Sequence, residues 1–290
     1  MKILYITNIC NIGPILVGEA AHRGIEADFV EYPWAVRKFT NFFRFLSFFM
    51  RHRFLDFDIY HYNWPIDTLL PNNRDIAFLK NKNKKVFVYY HGSDIRNRKE
   101  KESLRHVDGK CVSTPDLLEF LPDAEWVPFP YNIRDMTPRR GWNDPIKIVH
   151  PPSRREKKGT YHILKAIREL KKDYTIEFEL IEGKPNRYVL ETMKKSDIVI
   201  DQIGPGWYGK VTIEALYCGA VPCFYVRPDL LQHIPVTFFA NITKETITNV
   251  IGSLIGDEHL RNTLRKNGYQ YIKRHDSRKI MDTLISMYTQ

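Results

Sequence analysis

The residues best suited to chemistry in this 290-residue chain lie in two stretches of its second half. In Ile148–Thr160 a strand-like run ends at His150, a loop carries Arg154, Arg155, Lys157 and Lys158, and Gly159 and Thr160 open a helical pattern. Ile163, Leu164, Ile167 and Leu170 then recur at helical spacing as an inward stripe. The cations therefore cluster before a helix N-terminus at the carboxyl end of a strand. Open α/β sheets bind ligands there, and free N–H groups and the helix dipole add to the positive charge. A pyrophosphate suits such a place; taken alone, the stretch also reads as a solvated basic loop.

The second stretch, Asp197–Gly209, is a strand followed by a loop with glycines at 204, 206 and 209, and a helix is expected over Lys210–Cys218, with Gly219 at its C′ position. Glu214 lies a little over one turn into that helix among Ile213, Ala215 and Leu216, which argues against free solvation. A carboxylate there can accept both hydroxyls of a ribose. In the first half, His91 follows the strand-like run Lys85–Tyr90 and precedes Gly92, Ser93 and Asp94. Gly92 permits a tight turn and Ser93 or Asp94 can cap the next segment, while a histidine at a strand end suits acid–base work or a hydrogen bond to a sugar hydroxyl. The plainer alternative is a structural histidine with a capping aspartate. Asn8–Pro14 follows the first strand, but with Gly13 alone it is no GxGxxG dinucleotide fingerprint.

Short apolar runs alternating with helical patterns must position these groups, and that alternation predicts parallel α/β sheets. Strands are expected at 2–7, 27–32, 58–62, 85–90, 109–113 and 125–128, and again at 146–150, 175–181, 198–202 and 221–226. Helices are expected at 160–171, 187–195 and 210–218, in a tail from Lys244 onward, and over Pro115–Leu121 with Thr114 as N-cap and Pro115 at the first position. Between the two halves, Tyr131–Pro145 contains Pro138, Arg139, Arg140, Gly141 and Pro145 and reads as a linker. Two tandem α/β units imply two facing domains with a cleft, toward which His91 would look.

With 43% hydrophobic and 27% charged residues the chain can build cores, and a net charge of +10 favours an anionic partner without choosing among nucleotide, nucleic acid and membrane. Cys10, Cys111, Cys218 and Cys223 form no CxxC pair and read as reduced thiols. No signal peptide is visible and no apolar run approaches the roughly 20 residues of a membrane span, so a cytoplasmic protein is expected, at most lying on the inner membrane face. Val36–Phe54 alternates phenylalanines with Arg37, Lys38, Arg44, Arg51 and Arg53 at helical spacing. It reads as an amphipathic helix packed on the first sheet or docked on an anionic bilayer. Asp56 and Asp58 make a formal DxD, but aspartate before a strand is common, and no metal is expected.

The motifs of the second half resemble those of GT-B glycosyltransferases of the family-4 kind. Lys158 and Gly159 match the first motif of that family; Gly209, Glu214, Ala215, Gly219, Val221 and Pro222 match the second. The resemblance implies a GT-B fold: an acceptor-side Rossmann-like domain over 1–140, a nucleotide-sugar domain over 141–276, and a final helix, 277–290, that crosses back to the first. It implies that Arg154 or Arg155, with Lys158, holds the donor diphosphate, that Glu214 holds the ribose, and that His91 approaches the donor sugar. Gly13 and Asp94 fall on the acceptor side. The family usually places a second glutamate eight residues before the ribose glutamate, and here that position is Gly206. Asp201 and Gln202 are the nearest polar candidates for its catalytic place, with Trp207 and Tyr208 as sugar-facing surface. The function so implied is transfer of a sugar, with retention, from a UDP- or GDP-linked donor used as substrate without any cofactor, onto a carbohydrate or lipid-linked acceptor. The alternatives are a non-catalytic nucleotide-sugar-binding protein, a sugar epimerase, and a DNA-modifying transferase, the last ranked low because the charge is scattered and nucleic acid is not the expected partner.

Overall fold

The computed structural model describes residues 1–31, 49–50, 54–65, 70, 73–96, 98–139 and 141–290. Most of the expected amphipathic segment Val36–Phe54 lies outside the described residues. Among the described residues no helix is long and apolar enough to cross a membrane.

The chain forms two compact units, Met1–Asn132 with His275–Gln290, and Ile133–Arg274. The first holds a six-stranded sheet in the order β2-β1-β3-β4-β5-β6, built from β1 (Lys2–Ile6), β2 (Glu26–Val30), β3 (Ile59–Asn63), β4 (Lys85–Tyr90), β5 (Gly109–Val112) and β6 (Glu125–Trp126). All of its pairs are parallel. Helices α1 (Ile12–Ala21), α2 (Arg74–Asn81) and the C-terminal Ser277–Thr289 belong to this unit.

Because successive strand residues point to opposite faces, the sheet has two different sides. Leu4, Ile6, Tyr60, Tyr62, Val86 and Val88 form one apolar face, packed with Phe54, Ile76 and Leu79. The opposite face carries Tyr5, His61 and Cys111, and the C-terminal helix covers them. Its Tyr288 hydroxyl lies 2.5 Å from His61 Nδ1, and Tyr5 and Cys111 reach Met281 and Met287 at 3.6 and 3.5 Å. Burial pushes the His61 imidazole down to about 3, so it packs there uncharged.

The second unit holds a five-stranded sheet in the order β11-β10-β9-β7-β8, also all parallel. Its strands are β7 (Ile146–His150), β8 (Ile176–Leu180), β9 (Ile198–Ile200), β10 (Val221–Phe224) and β11 (Ala240–Asn241). One face packs Ile148, Ile198 and Val221 against Ile163, Ile167 and Leu170 of α3 (Thr160–Asp173); the other packs Val149 and Val199 against Met193 of α4 (Asn186–Lys194) and Ala215 of α5 (Lys210–Tyr217). The tail divides into α6 (Ile247–Gly256), α7 (Glu258–Tyr271) and α8 (Ser277–Thr289). Asp257 and Asp276 start the last two by accepting from the backbone N–H of Leu260 and Arg278.

Several local expectations are corrected. Pro115–Glu119 is a 3-10 turn, and Thr114 makes no side-chain cap to it. Strand β6 is two residues long, and β11 carried no recognisable run. Residues before Pro145 already belong to the second unit, because Arg139 pairs with buried Asp197 at 2.8 Å and Asn143 donates to the same carboxylate. Asp58 accepts the backbone N–H of Lys2 at 2.8 Å, tying β1 to the start of β3.

Candidate functional site

In the second unit the chain leaves β7 for β8 on one side and returns to β9 on the other, so the strand order reverses between β7 and β9. Ligand crevices of open α/β sheets form at the carboxyl ends of such a pair. His150 ends β7 in the interior, its Nδ1 2.7 Å from the Ile200 carbonyl and its Nε2 2.8 Å from the Thr160 hydroxyl. The carbonyl can only accept, so Nδ1 carries the proton and Nε2 accepts from Thr160. Burial lowers this imidazole to about 4. A neutral histidine thus clamps the end of β7 to β9 and to the first residue of α3.

The loop after His150 makes one helical turn, Arg155–Lys158, and then bends at Gly159, whose φ of +72° favours glycine. A Cβ at Gly159 would also lie 2.2 Å from Cγ1 of Ile203, so this glycine brings the basic loop against the glycine-rich one. The result is a compact polar knot. Lys158 Nζ donates to Asp201 Oδ1 at 2.6 Å and to Gln202 Oε1 at 2.6 Å. Asp201 also accepts from the Gly209 backbone N–H at 2.7 Å and the Thr212 hydroxyl at 2.9 Å, and its side chain is fully buried. Gln202 donates its amide to the Trp207 carbonyl. Asp201 and Gln202 therefore hold Lys158 in place and fasten the loop to the start of α5.

The two arginines that the sequence left undecided have different surroundings. Arg155 makes a two-pronged ion pair with Glu182, at 2.8 and 2.5 Å. Arg154 is exposed and has no ion-pair partner among the described residues. Glu214 is buried, as its apolar neighbours suggested, and its Oε1 meets the Asn186 amide at 2.9 Å and the Lys210 ammonium at 3.0 Å. Nothing in the sequence spacing pointed to Asn186, which reaches Glu214 from the first turn of α4.

Trp207 and Tyr208 do not form the expected surface. They are 1% and 6% exposed, stack on each other at 4.8 Å, and Tyr208 bonds to the Tyr271 hydroxyl at 2.9 Å. Gly206, at φ +82°, lies against Arg227, whose Cγ would be 2.7 Å from a Cβ there. A side chain at 206 would need both a strained backbone and a displaced arginine.

In the first unit, Asp94 accepts the backbone N–H groups of His91 and Gly92 at 2.9 and 2.6 Å, closing the turn behind it instead of capping the segment ahead. Burial raises the Asp94 carboxyl to about 6 against those two hydrogen bonds. His91 packs on Tyr89 at 4.3 Å and faces the Phe129 ring at 5.8 Å. The residue is only partly buried, but both ring nitrogens are enclosed and have no hydrogen-bond partner among the described residues. Burial, helped by nearby His61, lowers this imidazole to about 3. Gly13 is buried, its N–H donated to Asn8 Oδ1 at 3.0 Å, and a Cβ there would sit 3.0 Å from the Phe29 ring. Its place is close packing of α1 on β2. Among the described residues no cluster of three or more histidine, cysteine or carboxylate side chains is disposed to hold a metal ion.

No family model matches this sequence, and no curated protein does. Solved structures do match its fold. The chain is similar to sucrose-phosphate synthase from Thermosynechococcus elongatus, at 14% identity and a TM-score of 0.72 over 100% of this chain and 98% of that one. It is similar to Anabaena Alr3699/HepE in complex with UDP, at 11% identity and 0.68 over 100% of both chains. It is also similar to the apo lipopolysaccharide outer core galactosyltransferase WaaB, at 11% identity and 0.63 over 100% and 99%. Identities this low show the fold alone: two α/β units, each with a parallel sheet, of the GT-B fold class.

Proposed function

We propose that the chain is a glycosyltransferase that takes its sugar from a nucleotide-diphosphate donor bound to the second unit. The observation that carries this reading is the knot of Lys158, Asp201 and Gly209 at the reversal point of the sheet. It holds an ammonium beside the N-terminus of α3, with Arg154, which has no ion-pair partner among the described residues, one turn away. When the bond between the anomeric carbon and the donor's β-phosphate oxygen breaks, the electron pair stays with the phosphate. Lys158, Arg154 and the helix N–H groups stabilise that charge, which is the largest catalytic contribution such a site can make. Glu214, desolvated and aligned by Asn186 and Lys210, accepts the ribose hydroxyls. Asp201 and Gln202 act by positioning Lys158. Support for a uridine nucleotide comes from the structural likeness to HepE, solved with UDP. Retention of configuration follows from the family-4 resemblance, and His91 takes the sugar contact that the same resemblance assigns.

A second reading, nucleotide-sugar binding without turnover, is favoured by Gly206, where a carboxylate would need a strained backbone and a displaced Arg227. One experiment separates the two. The purified protein is incubated with UDP-, GDP-, ADP- and TDP-sugars, and nucleotide release is followed beside Glu214→Ala. Slow release from one donor, lost in the variant, supports the transferase. Binding without release, with or without added glycan acceptors, supports the second reading, and no binding of any nucleotide defeats both.

A further inference from the structure

The proposed donor contacts follow one another along the carboxyl edge of the second sheet, whose strand order is β11-β10-β9-β7-β8. Asn186, which meets the ribose candidate Glu214, opens α4 on the chain that leaves β8. Lys158, proposed for the diphosphate, and Asp201, which holds it, stand beyond β7 and β9. A nucleotide-sugar laid with its ribose on the β8 side and its diphosphate at β7 and β9 carries its sugar onward to the end of β10. Neighbouring strands lie only about 4.8 Å apart, so a single sugar ring spans that step. The first charged side chain beyond β10 is Arg227.

Arg227 is laced to the glycine-rich loop that follows β9. The Tyr225 N–H donates to the Gln202 carbonyl at 2.9 Å, and the Arg227 N–H donates to the Gly206 carbonyl at 3.0 Å. A Cβ at Gly206 would lie 2.7 Å from Cγ and 3.1 Å from Cδ of Arg227. Glycine at 206 thus lets the aliphatic stem of the arginine cross this loop. Beyond the stem the guanidinium acts as a fork: Nε donates to Oδ1 of Asp229 at 3.1 Å and Nη2 donates to Oδ2 at 2.6 Å. Two N–H groups on the two oxygens of one carboxylate is the geometry in which arginine recognises a carboxylate best. The fork is also within reach of solutes, because the side chains of Arg227 and Asp229 are 35% and 59% exposed. An ion pair so exposed contributes little to stability, so Asp229 can give way to a ligand carboxylate at small cost.

We propose that Arg227 is a specificity-determining residue that binds a carboxylate on the transferred sugar, and that the donor is therefore a nucleotide-linked uronate; this rests on the donor reading given above. The C6 carboxylate of a hexuronate has the charge and the two oxygens that Asp229 now presents to the fork. It takes both N–H groups and releases Asp229 to water. A neutral hexose has a hydroxyl in that place, a single uncharged acceptor, and the fork keeps Asp229. An amino sugar would set an ammonium against the guanidinium. The nucleotide part of the donor lies on other residues, so Arg227 acts on the sugar alone.

The test is calorimetry on the intact protein with donors that differ only in the oxidation state of C6. UDP-glucose is compared with UDP-glucuronate, UDP-galactose with UDP-galacturonate, and GDP-mannose with GDP-mannuronate, beside UDP and GDP alone. At least one uronate is expected to bind about tenfold more tightly than its neutral counterpart, the gain of a charge-assisted contact. Arg227→Met keeps a stem over Gly206 and removes the fork. It is expected to abolish the preference while the bare nucleotide binds as it does to wild type, which also shows that the variant is folded. Asp229→Asn removes the competing carboxylate and is expected to raise the preference by about threefold, an effect that a merely structural ion pair would not produce. Nucleotide binding with no uronate preference in the wild type, or a preference that survives in Arg227→Met or is lost in Asp229→Asn, would overturn the proposal and leave the donor reading intact. Failure of the wild type to bind any of these nucleotides would defeat the donor reading and this proposal together.

Discussion

The ammonium of Lys158 lies 2.6 Å from Oδ1 of Asp201, a carboxylate with no exposed surface, while Lys158 itself is 13% exposed. The strongest cation of the proposed donor site is thus already paired. In the donor site proposed above, an incoming diphosphate would compete with Asp201 for it.

Replacing Asp201 by Asn leaves a buried ammonium without its counter-charge. Breaking one side of such a pair is expected to lower unfolding stability by about 3 kcal/mol, read from urea midpoints. The same change removes the competitor, so UDP is expected to bind more tightly to Asp201→Asn and more weakly to Lys158→Met. Calorimetry that finds both variants weaker than wild type would contradict the competition.

The two arginines are expected to separate. Arg154→Ala should weaken UDP binding by about tenfold, the loss of one charge-assisted contact, with thermal stability unchanged. Arg155→Ala should leave UDP affinity within error of wild type, because that guanidinium is committed to Glu182. A reversed pattern would move the diphosphate to the other side of the turn.

Glu214→Gln keeps the shape of the side chain and removes its charge. Hydrogen bonds to a charged acceptor contribute about 1.5–3 kcal/mol, so UDP affinity is expected to fall by roughly 10–100-fold. Binding of inorganic pyrophosphate, which has no ribose, should be unaffected. Equal losses for both ligands would show that Glu214 supports the fold of the site and does not touch the sugar ring of the nucleotide.

Acid stability is expected to follow two opposed groups. The folded Asp94 carboxyl titrates at about 6, above its unfolded value of about 4, so the folded state holds the extra proton between those values. Its contribution therefore falls as pH rises through that window. His91 and His61, lowered to about 3, act the other way: the unfolded imidazoles protonate near 6.5, and stability is lost as pH drops below that. Asp94→Asn removes the first effect, so relative to wild type its stability should improve from pH 4 to pH 7, by up to about 3 kcal/mol. Denaturation curves at both pH values check the sign.

Gly159→Ala meets both a positive φ and a clash with Ile203, and a loss of about 2–3 kcal/mol is expected. Adding Ile203→Ala should relieve the clash but not the backbone strain, so melting of the double variant should show only partial recovery against Ile203→Ala alone.

Much of this architecture is legible in the chain because burial and backbone pairing impose local patterns. The runs at 85–90 and 146–150 coincide with β4 and β7, since strands covered on both faces are apolar over most of their length. Glu214 could be placed out of solvent because its helix neighbours are apolar. The weak elements were lost for the same reason: β11 is two residues long and has no periodicity to read.

What only the tertiary structure decided are relations across long sequence separations. Forty-three residues divide Lys158 from Asp201, and fifty-six divide Thr7 from Asn63. Each pair meets because parallel strands return through crossover segments, and no local preference records which returning strand lies next to which. Residue type alone made Trp207 and Tyr208 as plausible on a sugar-facing surface as in a core, and the packing of Phe224, Phe238 and Tyr271 settled it. The identity of each chemical group could be read from the sequence, whereas its partner, and with it the charge it has left to offer, was set by the fold.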